Sequence, residues 1–280
     1  MKSQNNRVDK SYNICKLCNI HSVSSQAYYK NIDKQKKRES VIEKVLFLIK
    51  EIRRTMPKVG IKKIYEQCKK KLRVLKIGRD KLFDIARKFS FLVKRKYRVI
   101  KTTDSSHGFK IYPNLIKDKI ISGPNEVFVS DITYLRLNES YCYLALITDV
   151  NSRKIVGYNL SSSLAVEGSL QALKMALKKV RYPQNLIHHS DRGIQYSSKL
   201  YVEQLKRRNI RISMSAKGNP YENAIAERVN GILKDEFYLN IKFKSFEQIL
   251  KTVKQSINIY NSKRLHWSLG LKTPDEIYAA

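Results

Sequence analysis

The chain has 280 residues and carries 56 lysines and arginines against 24 aspartates and glutamates, a formal charge of +32 at pH 7. That charge is far beyond what solubility requires and points to a polyanionic partner. The longest apolar run, Tyr141 to Ile147, is too short to cross a bilayer, and neither a leader nor a membrane span is expected. The expectation is a cytoplasmic, nucleoid-associated protein whose polyanion is nucleic acid. Residues 1–118 hold 32 basic against 10 acidic side chains and the remainder 24 against 14, so the amino-terminal part has the stronger electrostatic grip. Cys15, Cys18, Cys68 and Cys142 form no paired framework of the secreted kind and read as reduced thiols. Cys15, Cys18 and His21 have zinc-like spacing but lack a fourth ligand.

In chain order, Lys10 to Tyr29 reads as a small helical hairpin with a break at His21–Ser22 and Ser24 or Ser25 as cap of its second helix. Glu39 to Arg54 is a separate amphipathic helix, with Ile42, Val45, Leu46, Ile49 and Ile52 on one face. After Gly60, the stretch IKKIYEQCKKKL turns Ile61, Ile64, Tyr65 and Cys68 inward and a row of lysines, including Lys62 and Lys63, outward. Gly78 breaks the chain before a second helix loaded with Arg79, Lys81, Arg87 and Lys88, which fits a helix-turn-helix. Residues 1–100 are thus expected to be a basic helical DNA-binding region. Residues 101–124, rich in Ser, Thr, Gly, Pro and Lys, form a linker.

Beyond the linker the pattern becomes strand-like. EVFVSDITYLRL, SYCYLALITDV and RKIVGYNLS are joined by short polar turns and predict three antiparallel strands. A helix over Ala165 to Val180, a strand in QNLIHHSD, a helix over Ser198 to Arg208 and the strand IRISMS follow. The order predicts an α/β fold, a mixed five-stranded sheet flanked by helices over residues 125–262. Residues 263–280 close the chain as a basic tail.

The turn formers Gly218, Asn219 and Pro220 precede a helix starting near Asn223. Asn223, Glu227, Gly231 and Lys234 share its polar face, opposite Ile225, Val229 and Ile232. A glycine costs a helix about 1 kcal/mol relative to alanine, so Gly231 on that face points to close approach by something large. Three acids stand out. Asp131 interrupts a β-branched strand, Asp191 ends the fourth strand at the edge where open sheets place their sites, and Glu227 lies on the polar helix face. Carboxylates converging from a sheet and a helix suit two Mg²⁺ or Mn²⁺ ions, which can activate a water or a 3′-hydroxyl at a phosphodiester. The spacing alone decides nothing among 24 acids. His188 and His189 read as structural histidines, Trp267 and His266 as packing groups of the tail, and Asp149 as a turn acid. No P-loop or nucleotide cofactor is expected.

PNEVFVSDITYL, HSDRGIQYSS and SMSAKGNPYENAIAERVNGILKDEF, together with VGIKKIYEQC and SKRLHWSLGLKTP, resemble the orfB transposases of the IS-three type of insertion sequence. The resemblance covers almost the whole chain. It implies an RNase H-like core similar to retroviral integrase, with Asp131, Asp191 and Glu227 as a metal-binding catalytic triad and Lys234 on the transposon end. It departs from the family at Phe128, where Trp is usual, and at Glu222, where Asp is common. The implied activity is metal-dependent cleavage and strand transfer at the element's ends, by a homo-oligomer on DNA, with a partner from the upstream frame or a frameshift fusion to it. DNA contacts are expected from Lys234, Asn223, Gly231, Lys62, Lys63, Arg79 and Lys81. The alternatives are an RNase H-like nuclease without strand transfer and a non-catalytic DNA-binding repressor with a relic core.

Overall fold

The computed structural model describes residues 14–93, 109–178, 180–216 and 223–280. The start of the expected hairpin, the basic run at 94–98, residues 101–108 of the expected linker and the Gly218–Pro220 turn lie outside them.

Helix α1 (Ile14–Ile20) leads through Ser24, whose side chain accepts from the Ala27 N–H, into α2 (Ser25–Thr55). The hairpin's second helix and the expected Glu39–Arg54 helix are therefore one helix of 31 residues. The joining stretch KNIDKQKKR holds no glycine or proline, and Gln35 Nε2 donates to Glu39 Oε1 at 3.0 Å across one turn. Its apolar pattern is missing because residues 33–40 are exposed; α2 meets the core only from Val41 onward, through Val45, Leu48 and Ile49. Helices α3 (Ile61–Val74) and α4 (Arg79–Lys88) start after Gly60 and Gly78 and bury Ile61, Ile64, Cys68 and Leu72, then Leu82, Ile85 and Ala86. Arg53 Nη2 donates to the carbonyl of Phe91 at 2.6 Å, closing this helical group.

Strands β1 (Val127–Leu137), β2 (Ser140–Asp149) and β3 (Ile155–Ser161) run antiparallel, while β4 (Ile187–Ser190) and β5 (Arg211–Met214) lie parallel to β1. The spatial order is β3-β2-β1-β4-β5. These are the expected five strands, and a two-residue strand, β6 (Lys242–Phe243), adds to them off this path. It is too short to show alternation in sequence. It pairs with Arg136 and Leu137, on the length of β1 that runs past its pairing with β4. The helices α5 (Val166–Leu177), α6 (Ile194–Ser197), α7 (Lys199–Arg207), α8 (Ala224–Glu236), α9 (Phe246–Lys263) and α10 (Pro274–Ala279) complete the mixed α/β fold.

Strand β2 is buried on both faces, and its period of two sorts the core. Leu144 and Leu146 join Val229 and Leu233 of α8, Ile249 and Val253 of α9, and the buried residues of α2 to α4 in one continuous cluster. Ala145 and Ile147 turn the other way, onto Ala172 and Ala176 of α5 and Tyr201 and Leu205 of α7. Residues 263–280, expected as a tail, fold back on the core. Thr273 and Glu276 form a reciprocal cap of α10, and the Tyr278 hydroxyl donates to Asn125 Oδ1 at 2.7 Å.

The α5–β3 contact depends on Gly157. A Cβ there would stand 2.2 Å from the Ala172 carbonyl oxygen and 2.9 Å from the Ala176 nitrogen, both backbone atoms. Gly157→Ala is therefore expected to cost about 1–3 kcal/mol, as overpacking of a tight contact does. A lowered denaturant midpoint with unchanged slope is the check; an unaltered midpoint would mean that α5 shifts freely.

Candidate active site

The parallel register of β1 and β4 builds the site. Its last pair is Ser130 with Ser190, so Asp131 and Asp191 are the next residues along two adjacent strands. Both carboxylates thus belong to the carboxyl-terminal end of β4, where the pairing stops and the sheet opens. Asp191 Oδ1 accepts the Gly193 N–H at 3.0 Å, which fixes the turn into α6.

Helix α8 is docked over this point by two asparagines on one face, two turns apart. Asn223 Nδ2 donates to the Ser130 carbonyl at 3.2 Å, and Asn230 Nδ2 donates to Asp131 Oδ2 at 2.7 Å. Glu227 lies between them in sequence, exposed, in the first turn of the helix.

The three acids feel one another. The Asp131 carboxyl is pushed up to about 7 by burial and then by the charge of Asp191, with a smaller push from Glu227, against the lowering effect of the Asn230 and Ile132 hydrogen bonds. Glu227 is raised by burial and by Asp191. No lysine or arginine among the described residues forms an ion pair with Asp131 or Glu227. An acidic oxygen set that holds a proton near neutrality for want of a cation is a donor set for a hard divalent ion. The three side chains are not drawn together: among the described residues no group of three or more His, Cys, Asp or Glu stands close enough to hold an ion. Glu227, the exposed member, is the one with room to move.

His188 and His189 support the floor. His188 Nε2 lies 2.7 Å from Ser130 Oγ and 2.9 Å from the Tyr201 hydroxyl, and burial drives its pKa down to about 3, so it stays neutral. His189 Nδ1 lies 2.8 Å from Ser213 Oγ, itself bonded by the Leu115 N–H. Asp149 is a turn acid, accepting from Ser152 N and Oγ and from Asn125 N.

Three expected DNA contacts are placed otherwise. Asn223 is buried against Ser130, and Gly231 is buried in α8. Lys63 is tied to Glu236 at 3.3 Å. Lys234 is partly buried in the last turn of α8. Lys62, Arg79 and Lys81 are exposed; Lys62 sits 4.2 Å over the Trp267 ring and Arg79 pairs with Asp80.

Asn230 is a site residue that the sequence pattern alone does not single out. The signal it offers is its place one residue past Val229, at a two-turn repeat from Asn223. Asn230→Ala removes a hydrogen bond to the charged form of Asp131, so the Asp131 pKa should rise further. The midpoint of the rising limb of any metal-dependent activity should move up by about 1 pH unit. An unmoved profile would reduce Asn230 to a docking group.

Profiles of the integrase core domain match residues 122–220 and 208–274. The uncharacterized 31 kDa protein of insertion element IS600 from Shigella sonnei is 32% identical over 262 residues, covering 92% of this chain and 96% of that protein. Transposase InsF for insertion sequence IS3A of Escherichia coli (strain K12) is 41% identical over 173 residues, covering 61% of this chain and 60% of InsF. Among solved structures, the HTLV-2 integrase catalytic core domain in complex with magnesium (trimeric form) aligns with a TM-score of 0.45 and 18% identity, over 56% of this chain and 97% of that one. With a near full-length insertion-element relative at this identity, an IS3 transposase at 41% over 173 residues, and integrase-core profiles on the sheet and on α8, the chain belongs to the IS3-type family of insertion-sequence transposases.

Proposed function

We propose that the chain cuts and joins DNA strands at the ends of an insertion sequence, with Asp131, Asp191 and Glu227 holding two Mg²⁺ or Mn²⁺ ions. The observation that carries this reading is the β1–β4 register, which sets Asp131 beside Asp191 beneath α8 with no cationic side chain among the described residues paired to Asp131. Bound ions would supply Lewis-acid activation of a water or a 3′-hydroxyl and neutralise charge at the phosphodiester. The chain's own part is positional. Asn230 orients Asp131 and favours its ionised form, the Gly193 N–H orients Asp191, and the buried neutral His188 keeps Ser130 and the paired part of β1 in register with β4. Exchange of one phosphodiester for another needs no nucleotide cofactor.

DNA is held in this reading by the basic helical region of residues 1–100, through the exposed Lys62, Arg79 and Lys81, and by Lys234 beside the core. Residues 125–262 act as the catalytic unit and 263–280 as its brace. The working form is a homo-oligomer on DNA in the cytoplasm at the nucleoid, with an upstream-frame partner or fusion sharing end recognition. Incubation of linear transposon-end DNA with the protein and Mn²⁺ tests this. Joined product is expected; nicks alone would reduce the activity to that of a nuclease, and intact DNA that is nevertheless bound would leave a repressor.

A further inference from the structure

On the side of α8 turned away from Asp131, a cleft of about 380 Å³ opens between α8, α3, the turn after β2 and residues 264–268. Its charged lining has one sign: Lys63, Arg153, Arg228 and Arg264. Glu236 answers two of these cations, taking Arg264 through bonds of 2.7 and 2.8 Å and Lys63 at 3.3 Å. Arg153 and Arg228 form no ion pair among the described residues. Asp149 spends its oxygens on Ser152, three residues on in the same turn, and on the Asn125 N–H. Arg153 Nη1 is fully buried and has no hydrogen-bond partner, a costly state for a guanidinium nitrogen unless a ligand completes it.

The field in the cleft is felt by its neighbours. Lys63 is lowered to about 8 by burial and by the charges of Arg264 and Arg228, against the pull of Glu236. His266 is driven far down by burial and then by Arg264, Lys63, Arg153 and Arg228. Ile225, Ile232 and the half-exposed Trp267 add apolar wall of the sort a deoxyribose can lie against.

We propose that this cleft is a second DNA contact, taking one backbone phosphate between Arg153 and Arg228 on the face of α8 opposite the carboxylates. The arginines supply forked donors matched to phosphate oxygens, and among the described residues no carboxylate forms an ion pair with either. The proposal rests on DNA being the partner, but not on the chemistry at Asp131. One helix would then meet DNA on two sides, so that the strand at the carboxylates and the strand in the cleft fix its orientation together.

The test is nonspecific binding of the full chain to a random-sequence duplex, measured by fluorescence anisotropy across a salt series. For wild type, log K falls linearly with log salt, and each phosphate contact contributes about 0.9 to the slope. Arg153→Gln and Arg228→Gln should each flatten the slope, and the double variant should flatten it by about 0.9 in all, because one phosphate is shared. Arg228→Lys should keep the slope. Arg228 is exposed, so its glutamine variant should melt with wild type, which separates the loss of a contact from misfolding. A wild-type slope in a normally folded Arg228→Gln would overturn the proposal. Because the duplex carries no transposon end, that result would be distinct from a failure of strand transfer.

Discussion

Asp131→Asn is expected to reduce DNA cleavage and joining by about 10³-fold or more, the scale on which single members of a catalytic constellation act. DNA binding should stay within a few-fold, since no lysine or arginine among the described residues pairs with this carboxyl. The same substitution should make the metal-free protein more stable at high pH. Asp131 has its pKa raised to about 7 by burial and by Asp191. An acid raised above its unfolded value of about 3.9 binds more protons in the folded state between the two values, so folding stability falls as pH rises from about 4 to about 7. Above that window the loss is complete, of order a few kcal/mol. With chelator present, the variant should therefore melt with wild type near pH 4 and above it at pH 8. Added Mn²⁺ should raise the wild-type melting temperature most at pH 8, where Asp131 is ionised, and the variant's much less. Equal melting at pH 8 would mean that the carboxylates do not strain the fold.

Glu236→Gln carries the second large effect, about 3–5 kcal/mol of stability, because it leaves a buried arginine without its counter-charge. Arg264 is 2% exposed and gives Glu236 two hydrogen bonds, a third to His266, and a face to Tyr260. Lys63 of α3 joins the same carboxylate, so one residue at the end of α8 clamps the helical region and the carboxyl-terminal segment to the core. The exposed pairs Arg79–Asp80 and Arg87–Asp84 contrast with this and are worth about 0–1 kcal/mol each. Burial alone would raise the Glu236 carboxyl; the bonds and charges of Arg264 and Lys63 overcome it and hold the group below its usual range. A depressed acid contributes stability that is complete above its unfolded pKa and lost as pH falls through the folded value. Wild type should thus lose its advantage over Glu236→Gln below about pH 4, as the unfolded-state pKa near 4.3 is passed and the lower folded value approached. Urea denaturation at pH 7 and pH 3 reads both statements. A gap that persists unchanged at pH 3 would contradict the charge argument.

The order of elements is readable from residue pattern because strands β1 to β3 carry β-branched and aromatic runs and the helices carry a clean period. What pattern misreads is context. Residues 33–40 are polar yet helical, since they continue α2 into solvent without facing a core. Strand β6 has two residues and exists only because β1 overruns its neighbour. The stripe Asn223, Glu227, Gly231 and Lys234 has the expected helical spacing, but a polar stripe is not thereby a wet one: Asn223 and Gly231 are buried against the protein. Asp131 and Asp191 stand out in the sequence as acids in or at the end of strands, and the register that pairs them is a long-range fact. The same holds for the basic cleft. Arg153 comes from a turn, Arg228 from a helix and Arg264 from the last segment, and no local period links them.

The reading of the site stands most directly on joining by a pre-cleaved transposon end, which already bears its 3′-hydroxyl and so isolates the transfer step. With Mn²⁺ and target DNA, wild type should give joined product. Asp191→Asn should give none while binding the same end within a few-fold. Full joining by Asp191→Asn would contradict the assignment of the carboxylates where the β1–β4 pairing ends as the catalytic centre.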